Sequence, residues 1–118
     1  MLRGDVILVN FDSPISQTGH VQTGRRYAVV ISNDKIIPSS SVVTVVPLTS
    51  KESALRVYPN TIELRPNVQN GLTEKSYALI AQVQTIDRLR VVELSGHLDP
   101  VDLNKIDQKL IEYLIGSS

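Results

Sequence analysis

The sequence predicts a mainly β domain: an antiparallel sheet, curled or barrel-like, with one C-terminal α-helix packed on it. Two observations predict this. Short apolar runs rich in Val, Ile and Thr recur from Val6 to Ile86, separated by Gly, Pro, Asn and Ser clusters. Apolar residues take helical spacing only after Asp99. With 118 residues and no cysteine, the chain is expected to form one domain over 1–118 that buries a core without disulfide staples.

The elements follow in order. Val6 to Val9 is a first strand, led by Arg3-Gly4-Asp5. Residues 12–25 are rich in Ser, Thr, Gln, Gly and Pro and read as a long loop, a length usually reserved for function or disorder. Ala28 to Ser32 is apolar on both faces, so it should be a central strand. A turn runs from Asn33-Asp34 through Pro38 to Ser41. Val42 to Leu48 is a third strand, in which Pro47 requires a bulge or a free edge. Residues 50–60 read as loop. Thr61 to Leu64 alternates polar and apolar, as a half-buried strand does. Asn67 to Thr73 is a turn around Asn70-Gly71, and Tyr77 to Ile86 is a fifth strand. In the final helix Asp99 is the cap, Pro100 suits the first position and Asp102 complements the N-terminal dipole. Leu103, Ile106, Leu110 and Tyr113 or Leu114 form its apolar stripe, and Gly116 stops it.

Twelve basic and twelve acidic residues cancel. That balance is unlike a protein built for broad duplex binding, which is basic overall. The charge is segregated: residues 1–98 carry ten basic groups and eight acids, and the segment from Asp99 carries four acids and two lysines. The absence of cysteine fits a reducing cytosol. Val6 to Val9 is too short for a signal core, and no run approaches a membrane span. No glycine-rich phosphate loop, nucleotide fingerprint or nucleophile elbow occurs. His20 and His97 lack metal-ligand spacing, so neither a metal nor a cofactor is expected.

The stretch from Gly19 to Asp34 carries the sharpest functional signal. A glycine-punctuated loop delivers His20, Arg25 and Arg26 to the mouth of an apolar strand. Fixed guanidinium charge and a ring that exchanges protons near neutral pH are what phosphodiester chemistry needs. The same residues also read as solvated arginines and an ordinary loop histidine. Thr49, Ser50 and Lys51 offer two hydroxyls and an ammonium at a strand end, either to a phosphate or merely as a turn. Gln82 and Gln84 lie two apart on the expected fifth strand. Their amides either read base edges or face solvent.

These pieces occur in a recognisable order: Arg3 to Val6, Gly19 to Arg26, Ala28 to Ile31, Asn33-Asp34, Pro47 to Ser50, Gln82 to Asp87, and Gly96-His97-Leu98. The chain thereby resembles the MazF/PemK (Kid) toxins over nearly its whole length. The resemblance implies an SH3-like barrel with added strands and a C-terminal helix, as in MazF and CcdB, and a cytoplasmic homodimer. It implies an endoribonuclease of a toxin–antitoxin system that cuts single-stranded RNA at short motifs without a metal, and a cognate antitoxin protein that blocks the site. The family's catalytic arginine falls on Arg26 and its hydroxyl on Thr49. A loop histidine of the PemK-like branch falls on His20. Arg25, Ser50, Lys51, Gln82 and Gln84 then serve as RNA-binding residues.

The sequence departs from the family in three places. Tyr27 stands where proline is frequent, Ala81 where an acid is frequent, and Leu79 where PemK-like members carry arginine. Either His20 takes over proton transfer, or the enzyme is slow or altered. Two alternatives share the fold: a partner-binding module without catalysis, and a gyrase-poisoning toxin of the CcdB kind. The latter depends on an aromatic-containing C-terminal tail, whereas this chain ends Tyr113 to Ser118 and has no Trp. His97, just before the helix, reads as structural.

Overall fold

A computed structural model of the chain describes residues 1–12, 24–58 and 60–116. Its strands are β1 (Asp5–Asn10), β2 (Arg25–Val30), β3 (Val42–Thr49), β4 (Thr61–Leu64), β5 (Ser76–Leu79), β6 (Gln84–Asp87) and β7 (Val91–His97). Two α-helices, α1 (Ala54–Val57) and α2 (Pro100–Leu114), complete it, with short 3-10 turns at Ile37–Ser39, Ile80–Gln82 and Arg88–Arg90. The strands form one sheet in the order β4-β5-β3-β2-β1-β7, with β6 also paired to β3. Every pairing is antiparallel. None of the described helices is long and apolar enough to cross a membrane.

The centre of the sheet is buried on both faces. Val6, Val29, Val46 and Leu48 pack with Ile80, Leu98, Ile106 and Leu110 in one apolar cluster. On the opposite face Ile7, Val9, Ala28, Val30, Val43 and Val45 pack with Phe11, Ile37 and Ile86. Strands covered on both sides read as continuous apolar runs, which is why β1, β2 and β3 stand out in the sequence. The first cluster is closed by α2, whose Ile106 and Leu110 are buried. Asp99 caps this helix by accepting from the Asp102 N–H at 2.8 Å. The apolar stripe ends earlier than its spacing predicts: Tyr113 is 43% and Leu114 64% exposed. Asp102 lies in the first turn of α2, where burial and the neighbouring Asp99 raise its carboxyl pKa.

Three expectations are corrected. The predicted fifth strand, Tyr77 to Ile86, is two strands broken by the turn at Ile80–Gln82. The register explains the break. Leu48 faces Ala78 and Val45 faces Gln84, so three steps along β3 correspond to six along the partner. The extra residues bulge out beside Pro47, which lies between the stretches of β3 paired with β5 and with β6. Its missing N–H thus falls where neither strand pairs. Gln82 and Gln84 therefore do not share one strand face. The second correction is α1, one helical turn inside the predicted loop 50–60, where Ala54, Leu55 and Arg56 are all good helix formers. The third is β7, which the sequence did not announce. It pairs only with β1 and has no fully buried side chain, so it lacks a period of burial.

The N-terminal Arg3-Gly4-Asp5 serves packing. Arg3 makes a two-pronged pair with Asp107 of α2, at 2.9 and 2.5 Å. The buried Asp5 accepts from the Leu2 N–H and meets His97 Nδ1 at 2.7 Å. His97 is thus structural, as its place before the helix predicts.

Candidate functional site

The described chain brings Arg25, Arg26, Thr49, Ser50 and Lys51 together at one end of β2 and β3. The register shows why. Ala28 faces Pro47, so two further steps along each strand set Arg26 opposite Thr49. By strand alternation Arg26 shares the face of Ala28 and Val30, and Thr49 that of Val43 and Val45. Both residues thus fall on the face of the second apolar cluster, past its last members on β2 and β3. β1 holds Arg26 from the other side, opposite Val9, with Arg25 opposite Asn10.

The root of the long loop is fixed beside these arginines. Asp12 Oδ1 accepts from the Gly24 N–H at 2.6 Å, and the Phe11 N–H donates to the Gly24 carbonyl at 2.9 Å. Gly24 has φ +75°, a left-handed turn that glycine enters without strain. Arg90 of the last 3-10 turn donates to the carbonyls of Asn10 and Asp12. His20 lies outside the described residues.

Arg26 and Thr49 line two adjoining clefts. The larger, about 240 Å³, is completed by Lys51, Ser53, Ala54, Val57 and Tyr58. The smaller is completed by Arg25, Tyr27, Leu48, Ser50 and Ser76. The volume of the larger is below the ~300–1,000 Å³ of pockets that enclose a small molecule, so a chain lying across it fits better than an engulfed ligand. Among the described residues, three cations and no carboxylate line the pair of clefts. Thr49 is 8% exposed, and its Oγ1 accepts the Lys51 N–H at 3.2 Å. A hydroxyl that accepts still has its own proton to give, so Thr49 retains a donor for a ligand. Positive charge with a hydroxyl donor and no competing acid suits a phosphodiester.

Two predicted site residues are not brought to these clefts: Gln82 and Gln84 line neither, and the Gln84 amide donates to the Gln82 carbonyl at 3.2 Å. Ala81 sits in the intervening 3-10 turn and brings no acid. Among the described residues, no group of three His, Cys, Asp or Glu side chains could hold a metal ion. Sequence reasoning missed Ser53, Tyr58 and Ser76 as lining residues. Tyr58-Pro59 was a usable signal, since an aromatic in a polar loop is unusual, but without α1 nothing tied it to Arg26.

The family model for PemK-like, MazF-like toxins of type II toxin–antitoxin systems matches residues 2–114. The chain belongs to this toxin family. It is 31% identical over 108 residues to the Bacillus subtilis endoribonuclease EndoA, covering 92% of this chain and 89% of that protein. A Mycobacterium tuberculosis protein provisionally named as a toxin is 39% identical over 111 residues, covering 92% of this chain and 86% of that one. Among solved structures, MazF from Deinococcus radiodurans superposes with a TM-score of 0.77 at 26% identity, over 97% of this chain and 96% of that one. The seven-stranded sheet with its C-terminal helix is therefore the MazF architecture.

Proposed function

We propose that this toxin is an endoribonuclease that cuts single-stranded RNA through its own side chains, without a metal. The observation that carries the reading is that Arg26 and Thr49, from adjacent strands, line the same clefts, whose described lining is cationic and holds no carboxylate. The named activity of the EndoA relative agrees with it.

Cleavage begins when the ribose 2′-oxygen attacks the adjacent phosphorus and gives up its proton to a base. The bond from phosphorus to the 5′-oxygen then breaks, and that oxygen takes a proton from an acid. The products are a 2′,3′-cyclic phosphate and a 5′-hydroxyl. Arg26 stabilises the charge that gathers on the phosphorane oxygens, where a fixed donor contributes most. A guanidinium is a fixed charge rather than a proton carrier, so this role is electrostatic. Thr49 donates its hydroxyl to a non-bridging oxygen. Arg25, Ser50 and Lys51 hold the flanking backbone. Proton transfer falls to His20, since an ordinary imidazole titrates near 6.5 and position 81 carries no carboxylate.

The decisive experiment digests a long unstructured RNA in EDTA and maps the ends. Cuts at a short recurring motif, with 2′,3′-cyclic phosphate and 5′-hydroxyl termini, are expected. Intact RNA would overturn the reading in favour of a partner-binding module. In the same assay His20→Gln should slow cleavage and lose the bend in the pH–rate profile near neutrality, while still binding uncleavable RNA. An unchanged profile would remove His20 from the chemistry. The toxin should act in the cytoplasm, as a two-fold dimer, and be silenced by an antitoxin protein. Exposed Leu94, Ile111, Leu114 and Ile115 offer apolar surface for these contacts. A single 13.0 kDa species in sedimentation at micromolar concentration would refute the dimer.

A further inference from the structure

The structure assigns Tyr58 as the stacking platform for a base beside the scissile phosphate, a specificity-determining residue that rests on the ribonuclease reading above. The aromatic inventory narrows the choice. The chain has four Tyr, one Phe and no Trp. Phe11 and Tyr77 are each 4% exposed and belong to the core. Tyr27 borders the smaller cleft but is packed against the first apolar cluster, and Tyr113 lies near the end of α2. Among the described residues, Tyr58 is the aromatic of the larger cleft that Arg26 and Thr49 line, half-buried, with Ala54 and Val57 of its own helix lining the same cleft.

Tyr58 is also held firmly by its backbone. Its N–H closes α1 by donating to the Ala54 carbonyl at 2.9 Å. Its φ and ψ are −112° and 125°, the extended region to which a residue before proline is confined, and the next residue in sequence is Pro59. The helix-closing hydrogen bond and the extended φ and ψ together fix the backbone at Tyr58. Asn60 follows at φ +59°, a left-handed conformation that asparagine tolerates better than most side chains. A ring carried on so constrained a Cα gives up little freedom on binding, which favours stacking. Unpaired RNA is read by proteins largely through bases laid on such faces. The role differs from that of Lys51 and Arg25, which meet the backbone and are indifferent to the base.

The test uses an RNA carrying the mapped motif, made uncleavable by a 2′-deoxy substitution at the cut and labelled with 2-aminopurine at successive positions. The unaltered toxin should quench the fluorescence of one position next to the cut. Tyr58→Phe should keep that quenching and the cleavage parameters within about twofold. Tyr58→Leu keeps an apolar side chain at this position but offers no flat face. It should lose the quenching and raise KM roughly tenfold, within the range stacking on an aromatic supports, with kcat little changed. Cleavage of variant motifs should become less discriminating at the stacked position. Thermal melts of the three proteins check that each is folded. Equal KM for Tyr58→Leu and the unaltered toxin would overturn the assignment. So would a Tyr58→Phe defect as large as that of Tyr58→Leu, since the hydroxyl and not the ring would then be at work. The two proposals fail separately. A toxin that cuts nothing defeats the ribonuclease reading, whereas quenching that survives Tyr58→Leu defeats the platform alone.

Discussion

Arg26 illustrates how a charged side chain becomes informative through its neighbours. In sequence it is one of twelve basic residues, half of a dipeptide that could face solvent. In the fold it lines the same clefts as Thr49, beyond the paired apolar stretch of β2 and β3 from Ala28 to Val30 and Val45 to Pro47. Removing one such donor to a developing oxyanion costs about 10²–10³ in rate in comparable sites. Arg26→Ala should therefore reduce kcat by at least that factor, with stability changed by no more than about 1 kcal/mol, as for a side chain outside the core. Arg26→Lys should recover little, because an ammonium lacks the planar fork. Thr49 separates structure from chemistry in a different way. Thr49→Val keeps the shape but leaves the Lys51 N–H without its acceptor, so it should slow cleavage and also cost about 1 kcal/mol in denaturant unfolding. Thr49→Ser restores the hydroxyl and should restore most of both. Arg26→Ala with undiminished turnover would remove this residue from the mechanism.

Between elements, the least sequence-legible contact is the clasp of the Asn67–Thr73 turn onto β7. Asn70 is fully buried, and its Oδ1 accepts from the N–H groups of Asn67 and Leu72 while its Nδ2 donates to the Arg65 carbonyl. A methyl on Gly71 would lie 2.2 Å from the Ser95 carbonyl oxygen, and φ is +69° there. Strain and backbone collision together should make Gly71→Ala unfold more easily by on the order of 3 kcal/mol. A variant with the parental melting temperature would show that this approach is dispensable. The turn itself was legible, because Asn-Gly is a local signal. Its docking was not, because β7 has no alternation of burial to announce a strand. The same distinction holds across the chain. Locally encoded features were readable: the Asp99-Pro100 cap, the double-faced runs of β1 to β3, and Arg26 and Thr49 at their ends. Features set by distant pairing were not. The break at Ile80–Gln82 depends on where β3 changes partners, and the cleft wall at Tyr58 depends on one helical turn too short to leave a period. Gln82 and Gln84 share a face only in an unbroken strand, and the change of register along β3 breaks it between them.

On the scale of the whole molecule, zero net charge and a cationic cleft describe two different ranges of the electrostatic field. At physiological ionic strength the Debye length is about 8 Å, so a phosphate in the cleft senses the cations beside it and little of the distant acids. The acidic segment from Asp99 is moreover engaged in part with Arg3, through Asp107. RNA binding should therefore depend on salt as a small local patch does. Each phosphate neutralised on a single strand contributes about −0.7 to the slope of log K against log salt. Arg25, Arg26 and Lys51 are the cations lining the clefts. If each meets one phosphate, the slope for an uncleavable RNA should be close to −2 per site. Lys51→Ala should flatten it by about 0.7 and weaken all sequences alike, because a phosphate contact carries no base preference. Tyr58→Leu should leave the slope unchanged while altering which sequences bind. A measured slope of −4 or steeper would mean that cations beyond this patch join the path of the strand. A slope near zero would mean that the cleft does not hold the backbone, and the phosphate roles of all three residues would fall together.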